Sequence, residues 1–458
     1  MADPGEPPAR DGPLTWGQQD IWRAVVAAAP QERYLNIVRS FAAPKRPVTV
    51  ERAALALERL VARHESLRTR LTGPREAPLQ RVWPAARPPY EVVESEPAGC
   101  PGPVGPGPAA SRSVGSGPVD SGPADSGPVN SGSVGSGLVE EVGERLAAEP
   151  FAYWEEWPLR VAFVVAGGYV RHVVLVLCHL AADGHAAELV VKDFRLLLIR
   201  DSLPPPRGAT PRELAAWQHS PEGRRVSGEA IGFWLKEYAR MDPVPPSSHV
   251  PGEPRFLEAT MRSPALAAAA QALAARNRVS SSTVLLAAAM RVAGGLTGQR
   301  FCGMRVIVNN RFAAGRRDVV STISQEALVV LDLRTESFDA LVRQAWGTAL
   351  RAYRQAQYDP YAMEEAVTGV GPGIRSFGCF NDQRLVQEDG QVDALEGKTE
   401  VAWTDAMDRN ICDFRLHVGG EPGRMELSCY ADTALLPPPG VEQYLLDLEG
   451  LIVEAART

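Results

Sequence analysis

The chain has 458 residues, of which 45% are apolar and 22% charged, with a formal net charge of −7. That length suits two or three cores, and an acidic balance gives no electrostatic basis for binding nucleic acid. The six cysteines form no C-x-x-C pair and match no zinc framework, so no metal centre is expected, only reduced and mostly buried thiols in a cytosolic protein. Met1 to Pro13 is polar and Pro-rich, unlike a signal peptide. No apolar run reaches the ~20 residues of a membrane span, so no membrane partner is expected.

In chain order, Val50 to Glu65 places Ala54, Leu57, Leu60, Val61 and His64 at helical spacing. Residues 96–137 are almost all Gly, Pro, Ser, Val and Ala, with a Ser-Gly pair at Ser116, Ser121, Ser126, Ser131 and Ser136. Such a segment has too little bulk to offset its ordering entropy and reads as a disordered insertion. Leu159 to Val165 and Tyr169 to Cys178 are β-rich runs joined by Gly167-Gly168, a hairpin signal. Ala186 to Arg200 is helical, and Pro204-Pro205-Pro206 then marks the edge of a first half. The second half repeats the alternation. Ser281 to Thr283 cap a helix running to Leu296. Arg305–Val308, Ala327–Leu333, Ile411–Val418 and Met425–Tyr430 read as strands, and Phe338–Tyr353 and Val441–Ala456 as helices. Neither half carries a dinucleotide or nucleotide fingerprint.

The chemistry-bearing segment is Cys178-His179-Leu180-Ala181-Ala182-Asp183-Gly184. It follows a run, Arg171 to Cys178, that is apolar on both faces after His172 and therefore belongs inside a sheet. A histidine at the end of a buried strand has a fixed backbone and a ring free to face a cleft. A histidine ring ordinarily titrates near neutral pH, as a general base requires, which makes His179 the candidate base. Asp183 is placed to bond either that imidazole or a distant arginine. Gly184 would permit a tight turn of unusual φ, and the helix after it could aim N–H groups at developing negative charge. Cys178 and His179 point to opposite faces of an extended strand, so they form no thiol dyad, and Cys178 is expected in the core.

Here the sequence resembles the condensation domains of nonribosomal peptide synthetases, whose hallmark is His-His-x-x-x-Asp-Gly. Cys178 stands where that family usually has its first histidine. Leu14-Thr15-Trp16-Gly17-Gln18 with Trp22 resembles the family's opening motif, and Arg63-His64-Glu65-Ser66-Leu67-Arg68-Thr69 its second. Trp157-Pro158-Leu159-Arg160-Val161, Val308-Asn309-Asn310-Arg311 and Tyr358-Asp359-Pro360-Tyr361 resemble later motifs, in family order.

The resemblance implies an α/β fold of two chloramphenicol-acetyltransferase-like lobes, 1–206 and 207–458, in a V-shaped pseudo-dimer around a substrate channel. It implies His179 as the catalytic residue, with Asp183 and Gly184 completing the motif and Asp183 paired to Arg311. Arg68 and Cys178 would support the site, and His185 and Trp16 would lie along the channel. Trp16 and Trp22 read as core residues rather than ligand contacts, and the second motif reads also as helix-end salt bridges. The implied function is a free-standing enzyme, a monomer without a permanently bound cofactor. It would receive 4′-phosphopantetheine thioesters from acyl or peptidyl carrier proteins in trans and form an amide or ester, with a small-molecule acceptor also allowed. A coenzyme A-dependent acyltransferase and a silent domain that recruits a partner are the alternatives.

Overall fold

The computed structural model describes residues 11–95, 136–244, 249–313, 315–371, 373–384, 398–410, 412–421 and 423–458. The N-terminal part runs β1 (Gly12–Pro13), α1 (Trp16–Ala28), β2 (Ile37–Ala42), α2 (Val50–Arg63), β3 (Thr69–Thr72), β4 (Leu79–Val82), β5 (Glu91–Glu94), α3 (Ser136–Ala147), β6 (Leu159–Ala166), β7 (Tyr169–Leu177) and α4 (Gly184–Ile199). After α5 (Pro211–Gln218) and α6 (Pro221–Tyr238) come β8 (Phe256–Ser263), α7 (Pro264–Asn277), α8 (Ser281–Thr297), β9 (Phe301–Val308), β10 (Gln325–Asp332), α9 (Phe338–Tyr353) and α10 (Pro360–Thr368). The chain closes with β11 (Cys379–Asp382), β12 (Glu400–Met407), β13 (Phe414–Glu421), β14 (Arg424–Asp432) and α11 (Pro438–Arg457).

Local chemistry sets many of these starts. Thr15 with Gln18 and Thr210 with Glu213 form reciprocal capping boxes, and Pro follows the cap in α5, α6, α7 and α10. The cap of α8 is Ser280, one residue before the expected serines, because its hydroxyl is the one that accepts from Thr283 N. α2 stops at Arg63, and Glu65–Arg68 forms a separate 3-10 turn. Gly167 and Gly168 both have positive φ, +61° and +79°, as a two-residue turn between β6 and β7 requires. The last two residues of the expected insertion, Ser136 and Gly137, open α3. The rest of that segment lies outside the described residues.

Two lobes result. The N-terminal lobe holds a four-stranded sheet in the order β2-β7-β6-β5. Val173, Leu175 and Leu177 of β7 pack with Leu57, Leu60 and Phe194 from α2 and α4. Val174 and Val176 point the other way, with Val142 of α3 and Trp22 of α1. Both faces are covered, which accounts for the unbroken apolar run. The C-terminal lobe holds a seven-stranded sheet, β10-β9-β11-β13-β14-β8-β12, in which β11 runs parallel to both neighbours. α7, α8, α9 and α11 cover one face, while α6 and α10 cover β10 on the other. The segment before β10 reaches back to the first lobe, where Val320 joins its core. Among the described residues no single helix is long and apolar enough to cross a membrane.

Candidate active site

β7 ends at Leu177, and the backbone then turns. Cys178 N donates to Pro158 O at 3.0 Å, while Ala181 N and Ala182 N both donate to Cys178 O. The turn delivers Asp183 as the N-cap of α4, its Oδ1 accepting from Ala186 N at 2.9 Å. The helix start expected to face developing charge is therefore partly occupied from within the motif.

Asp183 is buried and binds the arginine, not the imidazole. Arg311 reaches it with both terminal nitrogens, Nη1 to Oδ2 and Nη2 to Oδ1, each at 2.8 Å. Oδ2 also accepts from Ile323 N, Ser324 N and the Ser324 hydroxyl at 2.9–3.2 Å. Burial alone would raise the carboxyl's pKa, but the Arg311 charge and this set of donors outweigh it and hold it below the ordinary value. Arg311 is itself fixed by donating to Asn309 O, Val319 O and Ser321 O. Asn310 precedes it at φ +54°, a left-handed conformation that asparagine tolerates, and its side chain donates to Ile323 O and Ala356 O. The pair thus ties the motif of one lobe to the sheet of the other.

His179 is half-buried. Its carbonyl accepts from the Thr322 hydroxyl, and its Nδ1 lies 3.5 Å from the same oxygen. Thr322 O in turn accepts from Thr15 Oγ1, and Gln18 Nε2 donates to Leu180 O at 3.2 Å. Gly17 permits this crossing, because a Cβ there would stand 2.5 Å from Thr322 O. Thr322, Ile323 and Ser324 escaped the sequence reading. Val319–Ser324 carries no motif, although the Thr15-Trp16-Gly17-Gln18 motif marks the surface that meets it.

Cys178 is buried against a void of about 20 Å³ bordered by Ser66, Thr69 and Tyr153, and burial pushes its thiol up to about 12. Arg63 Nε and His64 Nε2 both bond Asp193 Oδ2 on α4, at 2.7 and 2.9 Å. That part of the second motif is a helix-end ion pair. Arg68 is buried and donates to Trp83 O; it is not among the partners of Asp183. His185 is half-buried beside Arg311, Arg317 and Asp318, and burial with the Arg311 charge lowers its pKa. Two expectations are corrected. Trp16, 1% exposed and edge-on to Trp217, fills the core and lines no channel. Gly184 is the first residue of α4 without positive φ, and a Cβ there would meet only Arg39 Nη2, at 3.9 Å. The backbone does not require glycine at that position.

No protein-family model and no curated protein matches the sequence. Solved structures do. The SgcC5 protein from Streptomyces globisporus superposes with a TM-score of 0.71 at 17% identity, over 97% of this chain and 99% of that one. The condensation domain that mediates chain release from the enacyloxin polyketide synthase gives 0.70 at 15%, over 100% and 84%. The X-domain from teicoplanin biosynthesis gives 0.68 at 15%, over 100% and 97%. Such full-length likeness at such low identity is a likeness of architecture, and the chain has the condensation-domain fold.

Proposed function

We propose that the chain is a condensation-type acyltransferase that joins a carrier-bound acyl thioester to an amine or hydroxyl. The observation that carries this reading is the placement of His179. Its backbone is held at a buried strand end, Asp183 is locked away by Arg311, and the ring stands against Thr322 where the lobes meet. The Thr322 hydroxyl hydrogen is committed to the His179 carbonyl, so toward Nδ1 the oxygen acts as acceptor. That favours the Nδ1–H tautomer, and in this reading Nε2 is the nitrogen that takes the proton.

In this reading an acyl or peptidyl carrier protein presents the donor on its 4′-phosphopantetheine arm. The acceptor nitrogen or oxygen attacks the thioester carbonyl and His179 Nε2 takes the proton. The C–S bond then breaks and the leaving thiolate is reprotonated. Asp183 and Arg311 take no part in proton transfer and keep the loop in place. The starter condensation domain of rhizomide synthetase was solved with C8-CoA, so coenzyme A thioesters are the donor to test beside carriers.

The test is mass spectrometry of acyl-loaded carriers and acceptors after incubation with the purified protein. A general base contributes ~10²–10⁴-fold, so His179→Ala should cut turnover by that range with carrier binding and melting temperature retained. Wild-type turnover in His179→Ala would sink the assignment. Absence of turnover with any donor would favour the silent, partner-recruiting reading, to which the Cys178 departure lends support.

A further inference from the structure

A second cluster of reactive groups lies in the C-terminal lobe, away from the His179 loop. Gly378 allows β11 to approach β13 closely, since a Cβ there would stand 2.4 Å from Phe414 O. The approach brings Cys379, at the start of β11, to Cys412, two residues before β13, with the sulfurs 3.3 Å apart. Arg305 donates from Nη2 to Cys412 Sγ at 3.5 Å and from Nη1 to Glu326 at 2.9 Å. Arg305, Glu326, Gly378 and Asp413 line a cavity of about 350 Å³, so each cysteine sits one residue behind its wall. The other described cysteines, Cys178, Cys302 and Cys429, are buried, and burial raises their thiols. Cys412 goes the other way. The hydrogen bond from Cys379 and the Arg305 charge outweigh burial and favour its thiolate.

We infer that Cys379 and Cys412 form a reversible, peroxide-oxidisable disulfide behind the wall of this cavity. At about 350 Å³ the cavity is large enough to hold hydrogen peroxide. The Cys412 thiolate attacks one peroxide oxygen, the O–O bond breaks, and the departing hydroxide takes up a proton to leave as water. The Cys412 sulfenic acid is then attacked by the Cys379 sulfur, the S–O bond breaks, and a second water leaves. Two thiols and one peroxide give one disulfide and two waters; sulfur is oxidised and peroxide reduced. Bond formation needs the sulfurs to close from 3.3 Å to ~2.05 Å. The bond would anchor the loop that carries Asp408 and Arg409 onto Gln31 and Ala29 of the first lobe. A Glu326 carboxylate oxygen and both sulfurs also lie within 4.8 Å of one another, a spacing that three ligands of one ion can have, but the Arg305 guanidinium occupies that corner with a positive charge and disfavours a metal ion.

The experiment treats the reduced full-length protein with a few equivalents of hydrogen peroxide, blocks free thiols and maps peptides by mass. The expected product is about 2 Da lighter, as loss of two hydrogens requires. It should hold one Cys379–Cys412 cross-link, melt a few degrees higher, and revert with dithiothreitol. Cys379→Ala and Cys412→Ala should each abolish both changes while Cys178 stays unmodified. Over-oxidation of Cys412 with Cys379 still alkylatable, or no cross-link in the wild type, would overturn the inference without reliance on either variant. A parallel arm adds zinc chloride to the reduced protein. One bound equivalent that shields both thiols, lost in Glu326→Gln, would make this a metal site and refute the disulfide. None of these readouts uses acyl transfer, so the outcome is independent of the proposed function.

Discussion

At the residue scale, one hydroxyl has two duties. Thr322 Oγ1 donates to the His179 carbonyl and stands 3.5 Å from Nδ1 of the same residue. A neutral hydrogen bond contributes about 0.5–1.5 kcal/mol, and about 1.4 kcal/mol is tenfold in rate. Thr322→Val should therefore lower kcat roughly 2- to 12-fold with KM unchanged, and it should lower the melting temperature because a carbonyl loses its donor. Steady-state kinetics beside thermal melts check this; an unchanged kcat would remove Thr322 from the positioning of the ring. Cys178 has the opposite character. Its thiol is buried and protonated, and it already borders a small void. Cys178→Ala should cost on the order of 1 kcal/mol in denaturant unfolding and retain most turnover. An acyl group found on Cys178 by mass spectrometry would contradict the structural role.

At the scale of the element, one ion pair, Asp183–Arg311, is among the contacts that hold the β7–α4 turn from the opposite lobe. Removing one partner of a buried pair leaves the other charge stranded, at ~3–5 kcal/mol. Asp183→Ala and Arg311→Ala should each destabilise the protein by that order, and the double variant should lose clearly less than the sum. Strict additivity in urea melts would contradict the contact. The same pair sets an acid limit. Asp183 has a folded pKa below its ordinary 3.8, so its contribution is fully present above about 4. It is lost as pH falls from there through the folded value. Melting temperatures between pH 7 and pH 3 should drop for the wild type below about pH 4, and a part of that drop should be missing in Asp183→Asn, which has no proton to gain. Parallel curves for the two proteins would show that Asp183 does not drive the acid limit.

At the scale of the whole molecule, the ends that flank the Gly/Pro/Ser segment are already secured. Ser95 N donates to Val165 O, and Arg145 of α3 pairs with Glu91 of β5 at 2.6 Å. Loop-closure cost grows only as ~(3/2)RT ln n, so a shorter connection changes it little. Deleting residues 99–130 should leave the melting temperature within a few degrees of wild type, by differential scanning fluorimetry. A collapse of soluble expression would show that the segment packs against the lobes.

The sequence by itself determined the periodic and local features. The apolar run of β7, the paired glycines after β6, the proline-opened helices and the conjunction of motifs around His179 are all written in nearest-neighbour chemistry. It left Asp183 with two possible partners, an imidazole four residues away and an arginine 128 residues away. Tertiary structure chose the arginine. Only the packing of the second lobe brings Arg311, Ile323 and Ser324 to one carboxylate. The same holds for Thr322 on His179, for Gly17 beneath Thr322, and for the 3.3 Å approach of Cys379 to Cys412. Each is a contact between segments distant in the chain, fixed by how two sheets and their covering helices share space, and no local pattern in either segment encodes it.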